Sequence, residues 1–280
     1  MKTAVTLDSS GRSGYYAFQI FPKVLQIMLN DRDPLWLRIL TVNTHKGFNH
    51  FNRKFVLPEL REAVRGVPAD IVFLQEVLGA HEALALRHNE KWPESSQYEF
   101  LADSIWPDFA YGRNAVYPNG HHGNALMSKF PITQFENFDV SIGTIEKRGL
   151  LHCRVDVPGT NAVLHCICAH LGLRETHRQK QLVLLSKLVE SIPANEPIIV
   201  AGDFNDWRGK GTNIMLACGL TDVFYKELGA PPKTFPARFP LLRLDRIYIR
   251  GVTSYKPIML PNRPWSHLSD HAPLAAEIQL

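Results

Sequence analysis

Five apolar stretches of this chain run directly into polar residues of one chemical kind, and that pattern limits what the chain can become. Residues 37–43 end on Asn43, residues 70–76 end on Glu76, and residues 164–169 are followed by His170. Residues 197–201 lead into Gly202-Asp203-Phe204-Asn205, and the last stretch is preceded by Ser269-Asp270-His271. Asp245 sits at the start of a sixth apolar run, 244–249. A core strand gains nothing from such groups at its tip, and burying them unpaired is costly. They are expected to face a site.

Each residue also has a plainer reading. Asn43 suits a turn, His170 a satisfied core histidine, Glu76 a helix start, and Asp245 a partner for Arg243 or Arg246. The joint pattern is harder to explain that way. An Asp-His pair handles protons, and Asp with Asn can hold a water or a phosphoryl oxygen. The set offers carboxylates, amides and two histidines, with no serine or cysteine nucleophile in a comparable setting. Oxygen donors with few thiols favour a hard cation, Mg2+ or Mn2+. A hard cation beside phosphate-ready donors points to phosphoester hydrolysis. No His-Glu-x-x-His zinc motif is present. The paired histidines of Gly120-His121-His122-Gly123 are read as a loop bearing a substrate contact rather than a metal ligand.

Hydrophobic periodicity places strands at 37–43, 70–76, 124–128, 150–157, 162–169, 197–201, 243–249 and 272–280. Helices are expected at 56–67, where Pro58 falls early, at 174–190, and briefly at 211–217. An excess of strands with helices between some of them suits two packed sheets with helices outside. With 280 residues, no internal repeat and no long linker, residues 35–280 read as one domain. Residues 1–34 form an N-terminal extension, read as a poorly ordered tail or a peripheral helix. Their apolar part starts late and is followed by Asn30-Asp31-Arg32-Asp33, which argues against a secretory signal.

Charge and cysteines bound the partners. Thirty-one basic and 27 acidic residues leave a net charge of +4, compatible with an anionic substrate but short of a dedicated nucleic-acid binder. The four cysteines, Cys153, Cys166, Cys168 and Cys218, lack zinc spacing and read as small buried residues in a reducing compartment. Cys166 and Cys168 should share a strand face. A cytoplasmic monomer without a transmembrane segment is expected.

The motifs, in order, are Val42-Asn43, Leu74-Gln75-Glu76, Gly123-Asn124-Ala125-Leu126-Met127-Ser128, Ala169-His170-Leu171-Gly172, Gly202-Asp203-Phe204-Asn205, Leu244-Asp245-Arg246-Ile247 and Ser269-Asp270-His271-Ala272-Pro273. In that order, over most of the chain, they resemble the endonuclease/exonuclease/phosphatase (DNase I-like) superfamily and its bacterial YbhP-like branch. The resemblance implies a four-layer α/β sandwich of two mixed sheets flanked by helices. It implies a divalent-metal-dependent phosphoester hydrolase, acting by in-line attack of an activated water. By motif, Glu76 is the main metal ligand, with Asn43 and Asp270 completing the shell. His271 handles protons, and Asp245 orients it or serves the leaving group. Asp203 orients or deprotonates the water, while Asn205 and His170 stabilise developing charge. Asn124 and Arg148 are expected to contact substrate. One departure stands out: His45 occupies a place where nuclease relatives carry an acid, which favours one metal or a shifted second one.

A phosphodiester is the first expectation for substrate. A small or lipid head-group phosphomonoester, DNA or RNA, and a catalytically inactive binding module are the alternatives. The apolar loop 235–242, with one arginine, is read either as a receiver for an acyl chain or base, or as a packed lid.

Overall fold

The computed structural model describes residues 35–50, 53–160 and 162–280. The reading of 1–34 as an extension lies outside the described residues.

The described residues open with strand β1 (Trp36–Asn43), then a one-turn 3-10 helix (His45–Gly47) and helix α1 (Leu57–Arg65). Leu57, Leu60 and Val64 put one wholly buried stripe on α1, and Pro58 occupies its first turn. Strand β2 (Ile71–His81) follows, then short helices α2 (Glu82–Arg87) and α3 (Gln97–Ala102). A reciprocal capping box fixes the start of α3: Glu99 N–H donates to Ser96 Oγ and Ser96 N–H to Glu99 Oε2. Strands β3 (Asp108–Tyr117), β4 (Gly120–Ser128), β5 (Ile132–Asp139), β6 (Gly149–Asp156) and β7 (Val163–His170) come next.

Helix α4 (Glu175–Ser191) precedes β8 (Ile198–Asp203), α5 (Thr212–Ala217), β9 (Thr221–Asp222) and the single turn α6 (Tyr225–Leu228). The described chain closes with β10 (Asp245–Arg250), β11 (Ser254–Ile258) and β12 (Leu274–Gln279).

Among the described residues these strands form two six-stranded sheets, ordered β11-β12-β1-β2-β4-β3 and β5-β6-β7-β8-β10-β9. Each is mixed, with one parallel pair, β1 with β2 and β7 with β8. Helices α1 and α3 contribute to the apolar core on the first sheet, and α4 to that on the second. The result is the expected order helix, sheet, sheet, helix.

Polar ties cross between the sheets. Gln75 Nε2 lies 3.2 Å from Cys168 Sγ, and Asn124 Nδ2 donates to the carbonyls of Gly149 (2.9 Å) and Cys168 (3.1 Å). Cys153, Cys166, Cys168 and Cys218 are free and buried, as expected.

This topology gathers the polar tips. The parallel pairs end at one side of the sandwich, where the antiparallel β12 and β10 begin. Thr41 pairs with Leu274, His170 with Asp203, and Asp203 with Asp245. His170, Asp203 and Asp245 therefore stand side by side across three strands.

Gly202 permits that row. Its φ is +143°, and a Cβ there would lie 2.0 Å from the Ala169 carbonyl oxygen. Only glycine lets β8 approach β7 so closely just before Asp203.

Candidate active site

Left-handed non-glycine residues shape the site: His45, Lys46, Glu76 and Asn205 all have positive φ. Glu76 (φ 56°) sits where the β2–β4 register shifts between Leu74 and Val77. It is the extra residue of a bulge, and the bulge redirects its side chain. The strand does not end at Glu76, as the sequence suggested, but runs on to His81. Asn205 (φ 50°) makes the turn after β8; its N–H donates to Asp203 Oδ1 (2.9 Å) and its Nδ2 to the Leu171 carbonyl (3.0 Å). Non-glycine residues held in this region mark backbone constrained by its surroundings.

Asp203 Oδ2 is the meeting point. Asn43 Nδ2 donates to it across the sandwich at 3.2 Å, His170 Nε2 is 3.6 Å away, and His271 Nε2 is 3.8 Å away. His271 Nδ1 is 2.9 Å from Asp245 Oδ2, so the imidazole lies between two carboxylates. Asp245 is thus the partner of His271; Arg243 donates instead to the Pro231 carbonyl, and Arg246 to backbone carbonyls. Ser269 fastens this turn to β1: its Oγ donates to the Asn43 carbonyl (2.6 Å) and accepts from His271 N–H (3.2 Å).

The electrostatics follow from these neighbours. Burial opposes a charge on His271, but Asp245 and Asp203 outweigh it and push its pKa up to about 10. Burial, together with the negative charge of Asp245, pushes Asp203 up to about 7 against the pull of His271. Burial, reinforced by Arg148, keeps His170 well below the usual histidine range. Burial also works against ionisation of Glu76, yet the Lys46 ammonium, 2.7 Å from its Oε2, holds the carboxyl well below the ordinary value.

A cavity of about 290 Å³ opens on this group. Glu76, Arg148, His170, Asp203, Asn205, Asp270 and His271 line it, with an apolar wall that includes Leu173, Trp207, Phe235 and Leu242. Asn43 and Asp245 stand behind the lining, each hydrogen-bonded to a residue that does line it.

Asn124 is a correction. It was expected to contact substrate, but it is wholly buried and absent from the lining, and both amide hydrogens are donated to carbonyls of the facing sheet. Its Oδ1 has no hydrogen-bond partner among the described residues. The expected loop at Gly120-His121-His122 is the start of β4; His121 Nδ1 lies 2.9 Å from Tyr111 Oη. Burial, aided by Lys46, pushes His122 down to about 4.

Lys46 is the residue that sequence reading missed. Its neighbour His45, in the place of the absent acid, lies 3.7 Å from Asp270 Oδ2. A lysine and a histidine side chain thus approach the two acids at this side of the cavity. A basic pair, His45-Lys46, two residues after Asn43 was the available signal.

The oxygen donors fit a hard cation. Glu76 and Asp270 line one cavity, and Asn43 Oδ1, which accepts from His45 N–H at 3.0 Å, keeps a second lone pair. Asp203, Asp245 and His271 also have ligand atoms within 4.8 Å of one another. There, however, both imidazole nitrogens already face carboxylates, an arrangement suited to a proton more than to a metal.

Two mixed sheets packed face to face, with a His-carboxylate row at their common end, define a DNase I-like α/β sandwich scaffold. The chain belongs to the endonuclease/exonuclease/phosphatase family, whose model matches residues 40–271. Members of that family are generally hydrolases of phosphoester bonds that depend on a divalent metal. The chain is 58% identical over 244 residues to YbhP of Escherichia coli, covering 87% of this chain and 96% of that one. Among solved structures it resembles an endonuclease/exonuclease/phosphatase from Beutenbergia cavernae, with a TM-score of 0.71 at 20% identity over 88% of this chain and 72% of that one. It also resembles D. rerio TDP2 complexed with single-strand DNA product, with a TM-score of 0.61 at 19% identity over 87% and 98% of the two chains. No described helix is long and apolar enough to cross a membrane.

Proposed function

We propose that this chain is a divalent-metal-dependent phosphodiesterase acting by in-line attack of water. The observation that carries the reading is the convergence of Asn43, His170 and His271 on one Asp203 oxygen, in a cavity also lined by Glu76 and Asp270.

A magnesium or manganese ion held by Glu76, Asp270 and Asn43 would neutralise charge on the phosphoryl and leaving oxygens. Asp203, with its pKa raised to about 7, is poised to accept the proton of the attacking water. The water oxygen bonds to phosphorus as the bond to the leaving oxygen breaks. His271, held protonated by Asp245, donates to a phosphoryl oxygen, and Asn205 and Arg148 add positive potential on the same wall. Positioning supplies much of the rate, as in phosphoryl transfer generally.

The test is hydrolysis of bis-p-nitrophenyl phosphate against p-nitrophenyl phosphate, with magnesium, manganese or chelator. Diester turnover that needs the metal, and is abolished by Glu76→Gln and by His271→Ala in folded protein, is the expected result. Preference for the monoester would make the chain a phosphatase. Full activity in either variant would reject the site assignment.

A further inference from the structure

The mouth of the cavity is rimmed by apolar side chains that stay exposed among the described residues. The loop between α6 and β10 is tied to the active-site turn: Ala237 N–H donates to the Asp270 carbonyl (2.7 Å), Ala272 N–H to the Thr234 carbonyl (2.8 Å), and the Phe235 ring lies 5.1 Å from the His271 ring. Phe235 and Leu242 face the cavity. The tip of the loop faces outward, leaving Phe239 70% and Leu241 65% exposed. Behind the loop, Pro240 and Lys233 share a second, mainly apolar cavity with Met259, itself 66% exposed.

The opposite rim is built alike. Leu173 borders the catalytic cavity and also a neighbouring one that includes Ile145 and Arg174. Ile145 is 85% and Leu173 55% exposed. Apolar side chains of this size, on both sides of one opening, mark an interaction surface rather than scattered exposure.

Charge indicates what the surface meets. From Gly229 to Leu244 the chain carries Lys233, Arg238 and Arg243 and no acidic residue. On the other rim Lys147 and Arg174 are exposed, and the nearby acids are engaged: Glu146 lies 3.6 Å from Arg148, Glu175 lies 2.5 Å from Arg178, and Asp139 accepts from Ser141 N–H. Aliphatic tips interleaved with cations suit an anionic lipid surface, where the former enter the acyl boundary and the latter meet head groups. A single-stranded nucleic acid would require aromatic faces on which bases stack. Here the exposed rim is aliphatic apart from Phe239, Phe235 packs beside the His271 ring inside the cavity, and the Arg178 guanidinium already occupies one face of Trp207, 4.9 Å from the ring centre.

We propose that the mouth of this site docks on an anionic lipid surface, through Phe239, Leu241 and Arg238 on one side and Ile145, Leu173 and Arg174 on the other. The substrate would then be a phosphoester carried by an amphiphile, its polar group entering the cavity while its chains remain in the surface. This substrate class rests on the phosphoester reading above; the docking face does not.

The experiment is co-sedimentation of the full chain with vesicles of phosphatidylcholine alone, or of phosphatidylcholine with phosphatidylglycerol, without added metal. Binding to the anionic vesicles only, weakened by salt, is expected. The double variant Phe239→Ser/Leu241→Ser should bind at least roughly tenfold more weakly, and Arg238→Glu by a similar factor, since each juxtamembrane cation is worth about a factor of five. The double variant should hydrolyse the small soluble diester at the unaltered rate, because neither side chain lines the cavity. Failure to bind anionic vesicles, equal binding to neutral ones, or binding that survives the double substitution would each overturn the proposal. So would binding of a single-stranded oligonucleotide in preference to vesicles, lost in the same variants. Vesicle binding without diester turnover would count against the proposed hydrolase alone; diester turnover without vesicle binding would count against the docking face alone.

Discussion

The second sheet holds a histidine-carboxylate cluster at each end, and the two behave oppositely. At the site end, His271 lies between Asp245 and Asp203, with Asp270 adding further negative charge, and its pKa is pushed up to about 10. Toward the other end, on the outer face, His152 Nε2 contacts His165 Nδ1 at 2.8 Å, and His165 Nε2 contacts Glu196. Burial, together with His165, pushes His152 down to about 4; burial also lowers His165 despite Glu196. The outer cluster borders a cavity of about 380 Å³, larger than the catalytic one. Neither a histidine-carboxylate contact nor cavity size therefore distinguishes the site. The balance of charges does: one imidazole among several acids becomes a cation, whereas two imidazoles sharing one acid, with Arg154 and Arg250 nearby, stay neutral.

The largest test of this contrast is catalytic. His271→Ala should lower kcat on a diester by about 10²–10⁴-fold, the usual worth of a positioned proton donor or acceptor. Asp245→Asn removes the charge that keeps His271 protonated and should lower both kcat and the imidazole pKa, read by NMR in metal-free protein. His165→Gln should leave kcat unchanged. A large loss of kcat in His165→Gln would break the comparison.

A smaller effect is the pH dependence of stability. A histidine whose pKa falls on folding stabilises the folded state above its unfolded value and loses that contribution as the pH drops. For His152 the window runs from 6.5 down to about 4. His271 has the opposite sign: its contribution is complete below 6.5 and is lost as the pH rises toward 10. Urea unfolding should therefore show His152→Gln flattening the acid limb only. An acid limb unchanged by that substitution would mean that the outer pair does not carry it.

The sequence made the site end legible because polar residues sit at the tips of apolar strands: Asn43, His170 and Asp203 end theirs, and Asp245 begins its own. Glu76 was found for a partly wrong reason, since its strand continues through a bulge that depends on pairing with β4. Asn124 misled because an amide that ties two sheets looks, in sequence, like one that faces a ligand. The edge strands β5 and β11 went unseen because their solvent-facing residues blur the period-two pattern; Thr133, Gln134, Phe135 and Glu136 are all exposed in a row. Lys46 was invisible as a partner of Glu76 because 30 residues separate them, and only the β1–β2 pairing closes that distance.

The smallest expected effect separates hydrogen bonding from charge in the outer cluster. Glu196 is partly exposed, with 21% of its side chain accessible, so its ion pairing with His165 is screened by solvent. With both histidines held neutral by burial, the contact is mainly a hydrogen bond from Nε2–H to the carboxylate. Glu196→Gln keeps an acceptor and should cost about 1 kcal/mol or less in urea unfolding at neutral pH. Glu196→Ala leaves a buried imidazole N–H without its partner and should cost about 1–3 kcal/mol. Equal losses in the two variants would mean that the carboxylate charge, not the acceptor, holds this end together. His165 would then be charged after all, and the contrast with His271 would be one of position, not of protonation.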